Sequence, residues 1–197
     1  MDRVLAPGAL RMILAMAVVV EHVSRLQLGG PAVMVFFMLS GYWVMRMYAD
    51  YYRFARRPLL TFYLSRFLRI WMPYAIVLLM TLSVYALVPG IGHGFPDWTA
   101  LTILGVASSG RDVIGITWSL DLELQFYLLL PLLWLAMSSL PSGPARWCFG
   151  ALLILGSAAG WLLSWSMGIE LVLAYLPLFV AGAAIHLHGL RAGGRAA

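Results

Sequence analysis

The segment that decides the fold of this chain reads ITWSLDLELQFYLLLPLLWLAM and covers residues 116–137. It is apolar over the roughly 20 residues that a helix needs to cross a bilayer, yet it carries Asp121 and Glu123. A charged group at bilayer depth costs at least about 3 kcal/mol, so it persists mainly where it faces a bundle interior or a cavity. The segment therefore predicts a spanning helix that carries part of a buried polar site.

The composition extends this prediction to the whole chain. Of its 197 residues, 62% are hydrophobic and 11% are charged, which excludes an ordinary soluble domain. Apolar runs near spanning length recur at 9–26, 31–48, 67–88, 116–137, 147–166 and 169–187. We therefore expect an all-α fold, a polytopic transmembrane helical bundle of about six spans, forming a single domain over residues 1–197 in the lipid bilayer. The single cysteine, Cys148, excludes a disulfide framework.

The arginine positions predict how the bundle is oriented. The loop between the second and third runs carries Arg46, Arg53, Arg56, Arg57 and Arg66. Short loops rich in basic residues face the cytoplasm, so this loop and both termini are expected there. Because topology accounts for the basic residues, no nucleic acid is expected as a partner. The apolar stretch 98–107 is too short to span and is expected to stay outside.

Two ionisable residues share one face of the first predicted span. Arg11 and His22 are eleven residues apart, which returns to within about 20° of the same face and separates them by about 16 Å along the axis. One group could hold an anion while the other handles a proton. A structural alternative is that Arg11 reaches the lipid headgroups and His22 caps the helix end.

Two further patterns suggest polar faces on other helices. Ser119, Glu123 and Tyr127 follow i, i+4 spacing and predict one polar stripe. A carboxylate facing a histidine would orient its ring during proton abstraction, although Glu123 could equally make an interhelical hydrogen bond. Arg66 and Arg69 are an i, i+3 pair, which suits phosphate binding and suits topology signalling equally well.

Four motifs follow one another along the chain: LR at 10–11 with EH at 21–22, FFMLSGY at 36–42, SRFLRIWMPY at 65–74, and WSL at 118–120 with FY at 126–127 and Pro131. Their order and spacing resemble the acyltransferase-3 family of integral membrane acyltransferases, over roughly residues 8–137. Members of that family move acyl groups, commonly acetyl, onto hydroxyls of surface polysaccharides, lipid-linked sugars, peptidoglycan or small molecules.

The resemblance implies a multi-pass O-acyltransferase of the bacterial inner membrane. Acetyl-CoA or another acyl-CoA would be the donor, no metal would be needed, and a hydroxyl of a carbohydrate or cell-envelope molecule would be the acceptor. The family motifs fall on Arg11, His22, Arg66, Arg69 and Glu123. In this mechanism the Arg66 and Arg69 pair holds the CoA phosphates and Arg11 steers the donor. His22 is the general base, and Glu123 orients it or completes the polar site.

Two other functions fit the same intramembrane charges. A transporter or flippase-like protein would use them to line a conduit, and a non-catalytic, truncated remnant would only pack against a partner. His186 and His188 lie near a predicted helix end with no cysteine or carboxylate nearby, which favours an interfacial role over a metal site.

The number of spans raises the question of a partner. Members of the family usually have more than six spans, so we expect this chain to be incomplete relative to them and to need a C-terminal half or self-association. The small residues from Gly156 to Gly160 permit a close helix approach and could receive a helix of such a partner.

Overall fold

The fold is a set of α-helices. The computed structural model describes residues 7–88, 98–109, 112–140 and 143–187. Its helices are α1 (Pro7–Val23), α2 (Gly29–Asp50), α3 (Pro58–Leu87), α4 (Trp98–Thr102), α5 (Val106–Ser109), α6 (Thr117–Ser139), α7 (Pro144–Met167) and α8 (Val172–Leu187), with a 3₁₀ turn at Tyr52–Phe54. No strand occurs in these ranges, so the predicted all-α class is confirmed.

Each of the six predicted runs corresponds to a helix. Four described helical segments are long and apolar enough to cross a membrane: Gly29–Phe54, Pro58–Leu87, Thr117–Ser139 and Pro144–Met167. The first and last runs form shorter helices, of 17 residues in α1 and 16 in α8. The predicted count of about six is therefore approximate.

The predicted start of the third span, at residue 67, is wrong. Helix α3 begins at Pro58, and proline suits a first helical position because its missing N–H has no intrahelical partner there. The prediction started after Arg66 because an arginine was assigned to the loop. In the structure the Arg66 side chain is buried, and the helix continues through it.

The chain divides into two compact units, residues 1–46 with 178–197, and residues 47–177. In the first unit, glycines bring α2 and α8 close together. A side chain at Gly41 would overlap the carbonyl oxygen of Phe179, and one at Gly182 would overlap that of Met38. The rings of Phe37 and Phe179 lie beside this contact, with centroids 4.6 Å apart. Close backbone approach through small residues is how membrane helices gain contact without a hydrophobic driving force.

In the second unit, α3 and α6 run in opposite directions. Near the start of α3, the Tyr63 hydroxyl donates to the carbonyl of Leu128, 3.2 Å away. Near its end, the Tyr85 hydroxyl lies 3.4 Å from the carbonyl of Val113, just before α6 begins. Phe62 is fully buried between the two helices and the 3₁₀ turn, and packs against the ring of Tyr127 among others.

The Gly156–Gly160 surface is occupied within this chain. A side chain at Gly160 would come within 2.6 Å of the backbone nitrogen of Ala174, and the Ser157 hydroxyl donates to the Ala174 carbonyl over 2.7 Å. Gly160 and Ser157 thus receive the first turn of α8. The expectation that this surface awaits a helix from a partner is therefore wrong for these two residues, because their neighbour is Ala174.

Residues 98–109 fold back along α3. The Tyr74 hydroxyl donates to the carbonyl of Ala100 over 2.6 Å, and the Trp71 indole donates to the carbonyl of Leu101 over 2.9 Å. Both donors lie near the middle of α3. The segment forms two short helices, α4 and α5, and neither is long enough to span, which agrees with the prediction that the stretch 98–107 does not span.

Leu104, between the two short helices, lines a cavity with residues from the first third of α3, whereas Val113 lies beside Tyr85 near the other end of that helix. The described part of the segment thus reaches alongside α3 and returns, as a re-entrant segment does. Irregular backbone at membrane depth requires cover by protein because no water satisfies its polar groups. We call residues 98–109 the re-entrant segment.

Candidate active site

The second unit contains a cavity of about 310 Å³ between α3 and α6, called here the α3–α6 cavity. Its walls are Leu60, Tyr63, Leu64, Arg66 and Phe67 of α3, Leu104 of the re-entrant segment, and Leu124, Tyr127 and Leu128 of α6. A mostly apolar pocket with one or two polar groups is the usual form of a small-molecule site. The only charged side chain on this wall belongs to Arg66.

Arg66 is buried, with 5% of its surface exposed. Its guanidinium carbon lies 5.4 Å from the centre of the Tyr52 ring, a cation–π contact. The Tyr52 hydroxyl shares a 2.8 Å hydrogen bond with the Ser65 hydroxyl, which ties the 3₁₀ turn to α3. The buried Nε atom of Arg66 has no acceptor among the described residues. A buried donor of this kind is costly unless a ligand supplies the acceptor.

The second arginine of the predicted pair has different surroundings. Arg69 is exposed, although it lies one turn from Arg66 on the same helix. The two guanidiniums therefore do not form one uniform phosphate clamp in the described chain. One of them lines an apolar cavity, and the other faces outward.

Glu123 directly precedes Leu124 of the cavity wall on α6 and is partly buried. The hydroxyl of Tyr127 donates to its carboxylate, so Tyr127 links Glu123 to the cavity that Tyr127 lines. The predicted stripe does not extend to Ser119, whose hydroxyl donates to the carbonyl of Ile116 over 2.9 Å. Glu123 and Tyr127 are thus brought together as predicted, and Ser119 is not.

Asp121, two residues before Glu123, is fully buried. Its Oδ2 atom accepts the backbone N–H groups of Gly105 and Ala107 over 3.0 and 2.9 Å. Its Oδ1 atom accepts the side-chain amide of Gln125 over 2.9 Å. Sequence reasoning marked Asp121 as buried and ionisable but gave it no role. In the structure it satisfies the backbone of the re-entrant segment, which no local spacing could have indicated.

A second carboxylate supports the same region from the loop before α6. Asp112 accepts the backbone N–H groups of Ile114, Gly115 and Trp118 over 2.8–3.1 Å. Because Trp118 lies in the first turn of α6, Asp112 caps that helix end, whose N–H groups have no intrahelical partner. The start of the WSL motif is therefore fixed by an aspartate six residues before it.

The first unit carries the other two predicted residues, Arg11 and His22, on the continuous helix α1. The Arg11 side chain is partly exposed, and its buried Nε atom has no acceptor among the described residues. Its neighbour in the EH motif, Glu21, has a structural partner, since its carboxylate accepts the backbone N–H of Gly29 at the start of α2.

His22 is exposed near the end of α1. Its Nδ1 atom lies 2.8 Å from the carbonyl oxygen of Val18. A carbonyl oxygen can only accept, so this contact assigns the proton of neutral His22 to Nδ1 and leaves Nε2 as the basic nitrogen. The same bond is what a residue that caps a helix end would make. The geometry of His22 thus fits a general base and fits a helix cap.

Metal ligands are not grouped in the described ranges, where no three histidine, cysteine or carboxylate side chains lie close enough to hold an ion. The His186 ring instead contacts the ring of Tyr42 edge-on, with centroids 5.9 Å apart. His188 lies outside the described residues.

Comparison with known proteins identifies the family. A family model described as an acyltransferase domain, that of the acyltransferase-3 family, matches residues 5–195. The chain belongs to the acyltransferase-3 family. The match covers nearly the whole chain and extends well beyond the motifs at 8–137. No curated protein and no solved structure matches significantly. Family membership together with the apolar helices makes this protein a membrane acyltransferase.

Proposed function

We propose that this membrane acyltransferase transfers an acyl group from acyl-CoA to a hydroxyl of a carbohydrate or other cell-envelope acceptor. The observation that carries the donor assignment is Arg66, a buried guanidinium on the wall of an apolar cavity, whose Nε atom lacks an acceptor among the described residues. Such a wall suits a ligand that combines an apolar part with hydrogen-bond acceptors or negative charge, and an acyl thioester of CoA has all of these.

The two arginines of α3 would bind different parts of that donor. Arg69, which is exposed, suits the phosphates, because phosphate arrives from water and is bound well by a guanidinium. Arg66, within the cavity wall, suits the thioester end. Glu123, held by Tyr127, would complete the polar site. Acetyl is the acyl group that the family resemblance favours.

His22 would be the general base. Its Nε2 atom would take the proton of the acceptor hydroxyl, whose oxygen then attacks the thioester carbonyl carbon, and CoA leaves as the thiol after receiving a proton. The bond from Nδ1 to Val18 would keep the ring in the required tautomer. Arg11, with its unsatisfied Nε atom, would steer the anionic donor.

The proposed setting is the bacterial inner membrane, with both termini and the loop between α2 and α3 in the cytoplasm and the re-entrant segment entering from outside. The arginines of that loop support this orientation. Reporter fusions at residues 55, 142 and 195 should report cytoplasm, and a fusion at residue 93 should report the outside. An external signal at 142 would contradict the orientation.

A labelled-donor assay tests the function itself. The purified protein in nanodiscs is incubated with radiolabelled acetyl-CoA or octanoyl-CoA and a cell-envelope carbohydrate fraction. Label should appear in carbohydrate as esters that mild alkali releases, together with stoichiometric free CoA thiol. Uptake of unmodified sugar into sealed vesicles without ester formation would instead indicate a transporter. Absence of both would favour a non-catalytic protein. Activity that appears only on co-expression with a C-terminal half, or on self-association, would instead show that a partner is required.

A further inference from the structure

The α3–α6 cavity is large for the smallest acyl group. Its volume of about 310 Å³ is near the lower end of the roughly 300–1,000 Å³ typical of ligand pockets, and an acetyl group would leave most of it empty. The hydroxyls of both tyrosines on its wall are already engaged, that of Tyr63 with the Leu128 carbonyl and that of Tyr127 with Glu123. Apart from Arg66, the wall therefore presents hydrocarbon and ring surfaces.

We propose that the α3–α6 cavity holds the acyl chain of the donor and that this chain is longer than the acetyl group that the family resemblance favours. The inference rests on the proposed function, in that it takes acyl-CoA as the donor. Burying a chain against leucine and aromatic side chains is favourable by the area that leaves water. Arg66, the charged residue on the cavity wall, would lie where the chain meets its carbonyl group.

One side of the cavity is formed by a constrained turn. Leu104 lies between Ile103, with φ of 70°, and Gly105, with φ of 90°. A positive φ is unusual for a β-branched residue and persists only where the surroundings enforce it. Here Ile103 is fully buried, and Asp121 accepts the N–H groups of Gly105 and Ala107. The position of Leu104 is therefore fixed from both sides.

This arrangement gives two residues new roles. Leu104 would limit the chain length that the cavity accepts, because it is the one wall residue that belongs to neither α3 nor α6 and its position is fixed. Asp121 is a positioning residue, which acts through Leu104 by holding the turn against α6. Neither residue needs to touch the reacting atoms.

A bilayer lipid tail is the competing occupant. Leu60, Leu64 and Leu128, all on the cavity wall, are each about half exposed, so the cavity has an open side. Lipid tails and acyl donors share the apolar chain, but only the donor brings CoA. The experiment must therefore separate binding at a cavity of fixed length from partition of the probe into the bilayer.

The test measures dissociation constants of CoA, acetyl-, butanoyl-, hexanoyl-, octanoyl- and decanoyl-CoA for the purified protein in nanodiscs, with empty nanodiscs as blank. Each methylene buried in the cavity should tighten binding about fourfold, or roughly 15-fold for each two-carbon step. The gain should stop when the cavity is full. Leu104→Phe should stop it at least one step earlier, and Leu104→Ala should extend it by a step.

Leu132→Phe is the matched control, because Leu132 lies one turn beyond Leu128 on α6, is exposed and is absent from the cavity wall. It should reproduce the parent series. Asp121→Asn should blunt the length limit, so that the gain in affinity continues for at least one two-carbon step beyond the limit of the parent, while acetyl-CoA still binds as it does to the parent. A purely structural role for Asp121 would lower all affinities together.

The possible results separate the two proposals. If CoA and all of its thioesters bind with the same affinity whatever the chain length, the assignment of the cavity to the acyl chain is overturned. The use of acyl-CoA as donor would then still stand. Failure of every CoA thioester to bind would overturn the donor assignment and this inference with it. Identical length series in the parent and both Leu104 variants would indicate bilayer partition and overturn the inference. A tenfold or larger loss of octanoyl-CoA affinity on addition of dioctanoyl phosphatidylglycerol would assign the cavity to lipid, whereas a change within twofold supports the donor chain.

Discussion

The polar residues of α1 and those around the start of α6 have opposite surroundings. No residue of α1 from Gly8 to Val23 is buried, and His22 bonds to a carbonyl of its own helix. Asp121 of α6 is fully buried and bonds two backbone N–H groups of a segment fourteen or more residues away. An ionisable residue in a membrane protein can thus be retained for a ligand or for the fold. We expect the polar residues of α1 to serve a ligand and Asp121 of α6 to serve the fold.

The difference has a consequence for mutagenesis. Removal of an exposed side chain with a local bond leaves little unsatisfied, so its effect should fall on activity. Removal of a buried carboxylate leaves its donors without acceptors in a medium that has no water to replace them, so its effect should fall on stability. Measuring activity and stability on the same variants tests whether α1 and α6 differ in this way.

The largest expected effect is on activity at α1. His22→Ala should lower the acyl transfer rate by about 10²–10⁴-fold, the usual contribution of a general base, and change the free energy of unfolding by no more than about 0.5 kcal/mol, as for other surface substitutions. Rates are measured as CoA release in nanodiscs, and unfolding by SDS titration in mixed micelles.

His22→Gln distinguishes the two interpretations of this residue. Glutamine can still donate to the Val18 carbonyl but cannot take a proton at neutral pH. If His22 is the base, the glutamine variant should be as inactive as the alanine variant. Recovery of most of the activity with glutamine would mean that the helix-end bond is what matters, and α1 would then resemble α6 in using its polar residue for structure.

The next effect is on stability at α6. Asp121→Ala leaves the N–H groups of Gly105 and Ala107 unsatisfied and should lower the free energy of unfolding by about 2–6 kcal/mol, at about 1–3 kcal/mol for each buried donor. Asp121→Asn keeps one acceptor oxygen and should lose much less.

Glu123→Ala is the matched carboxylate deletion two residues away. Glu123 is only partly buried and accepts a hydrogen bond from the side-chain hydroxyl of Tyr127, so its removal should cost less than about 2 kcal/mol in stability. Equal destabilisation by the two alanine variants would show that the contrast between Asp121 and Glu123 has no energetic meaning.

Much of the fold could be predicted from the chain because a bilayer restricts the choices. Spanning segments must be helical and about 20 residues long, so each apolar run indicated a helix. The predicted helix boundaries were wrong where a polar residue is covered by other parts of the fold. Arg66, which lies beside the 3₁₀ turn, is the example. No hydropathy pattern reveals that Tyr52 would lie beside this guanidinium.

The site was predictable in part for a related reason. Glu123 and Tyr127 are one helical turn apart, so i, i+4 spacing alone brought them together. Asp121 contacts Gly105 and Ala107 across a loop whose path depends on Tyr74 and Trp71 of another helix. Such contacts are long-range and leave no periodic trace in the sequence. Leu104 was not predicted as a site residue because an isolated leucine in an apolar stretch carries no chemical signal.

A smaller effect is expected from the arginines, where α3 repeats the contrast between buried and exposed groups within one turn. Arg66→Ala should raise the KM for acyl-CoA about 30-fold, equivalent to about 2 kcal/mol and at the low end for a buried charged contact, while kcat changes little because the contact exists before the chemical step. Arg69→Ala should raise KM by less, since exposed charge pairs are worth about 0–1 kcal/mol.

Lysine variants test whether geometry or charge matters at these positions. Arg66→Lys should recover only part of the affinity, because an ammonium lacks the planar fork of a guanidinium. Arg69→Lys should recover nearly all of it, because an exposed point charge attracts phosphate as well. Unchanged KM in both alanine variants would reduce the pair to topology signals.

The smallest effect concerns the hydroxyl that joins Glu123 to the α3–α6 cavity. Tyr127→Phe keeps the ring, which packs against Phe62 and lines the cavity, and removes the hydrogen bond to the Glu123 carboxylate. A single bond of this kind contributes about 1 kcal/mol, so kcat/KM should fall roughly fivefold with little change in stability.

Tyr63→Phe is the matched control, since Tyr63 lines the same cavity but donates to the Leu128 carbonyl instead. Tyr63→Phe should change the stability equally little and leave kcat/KM unchanged. If both variants lose activity alike, the loss reflects the cavity wall in general, and Glu123 has no separate part in the reaction.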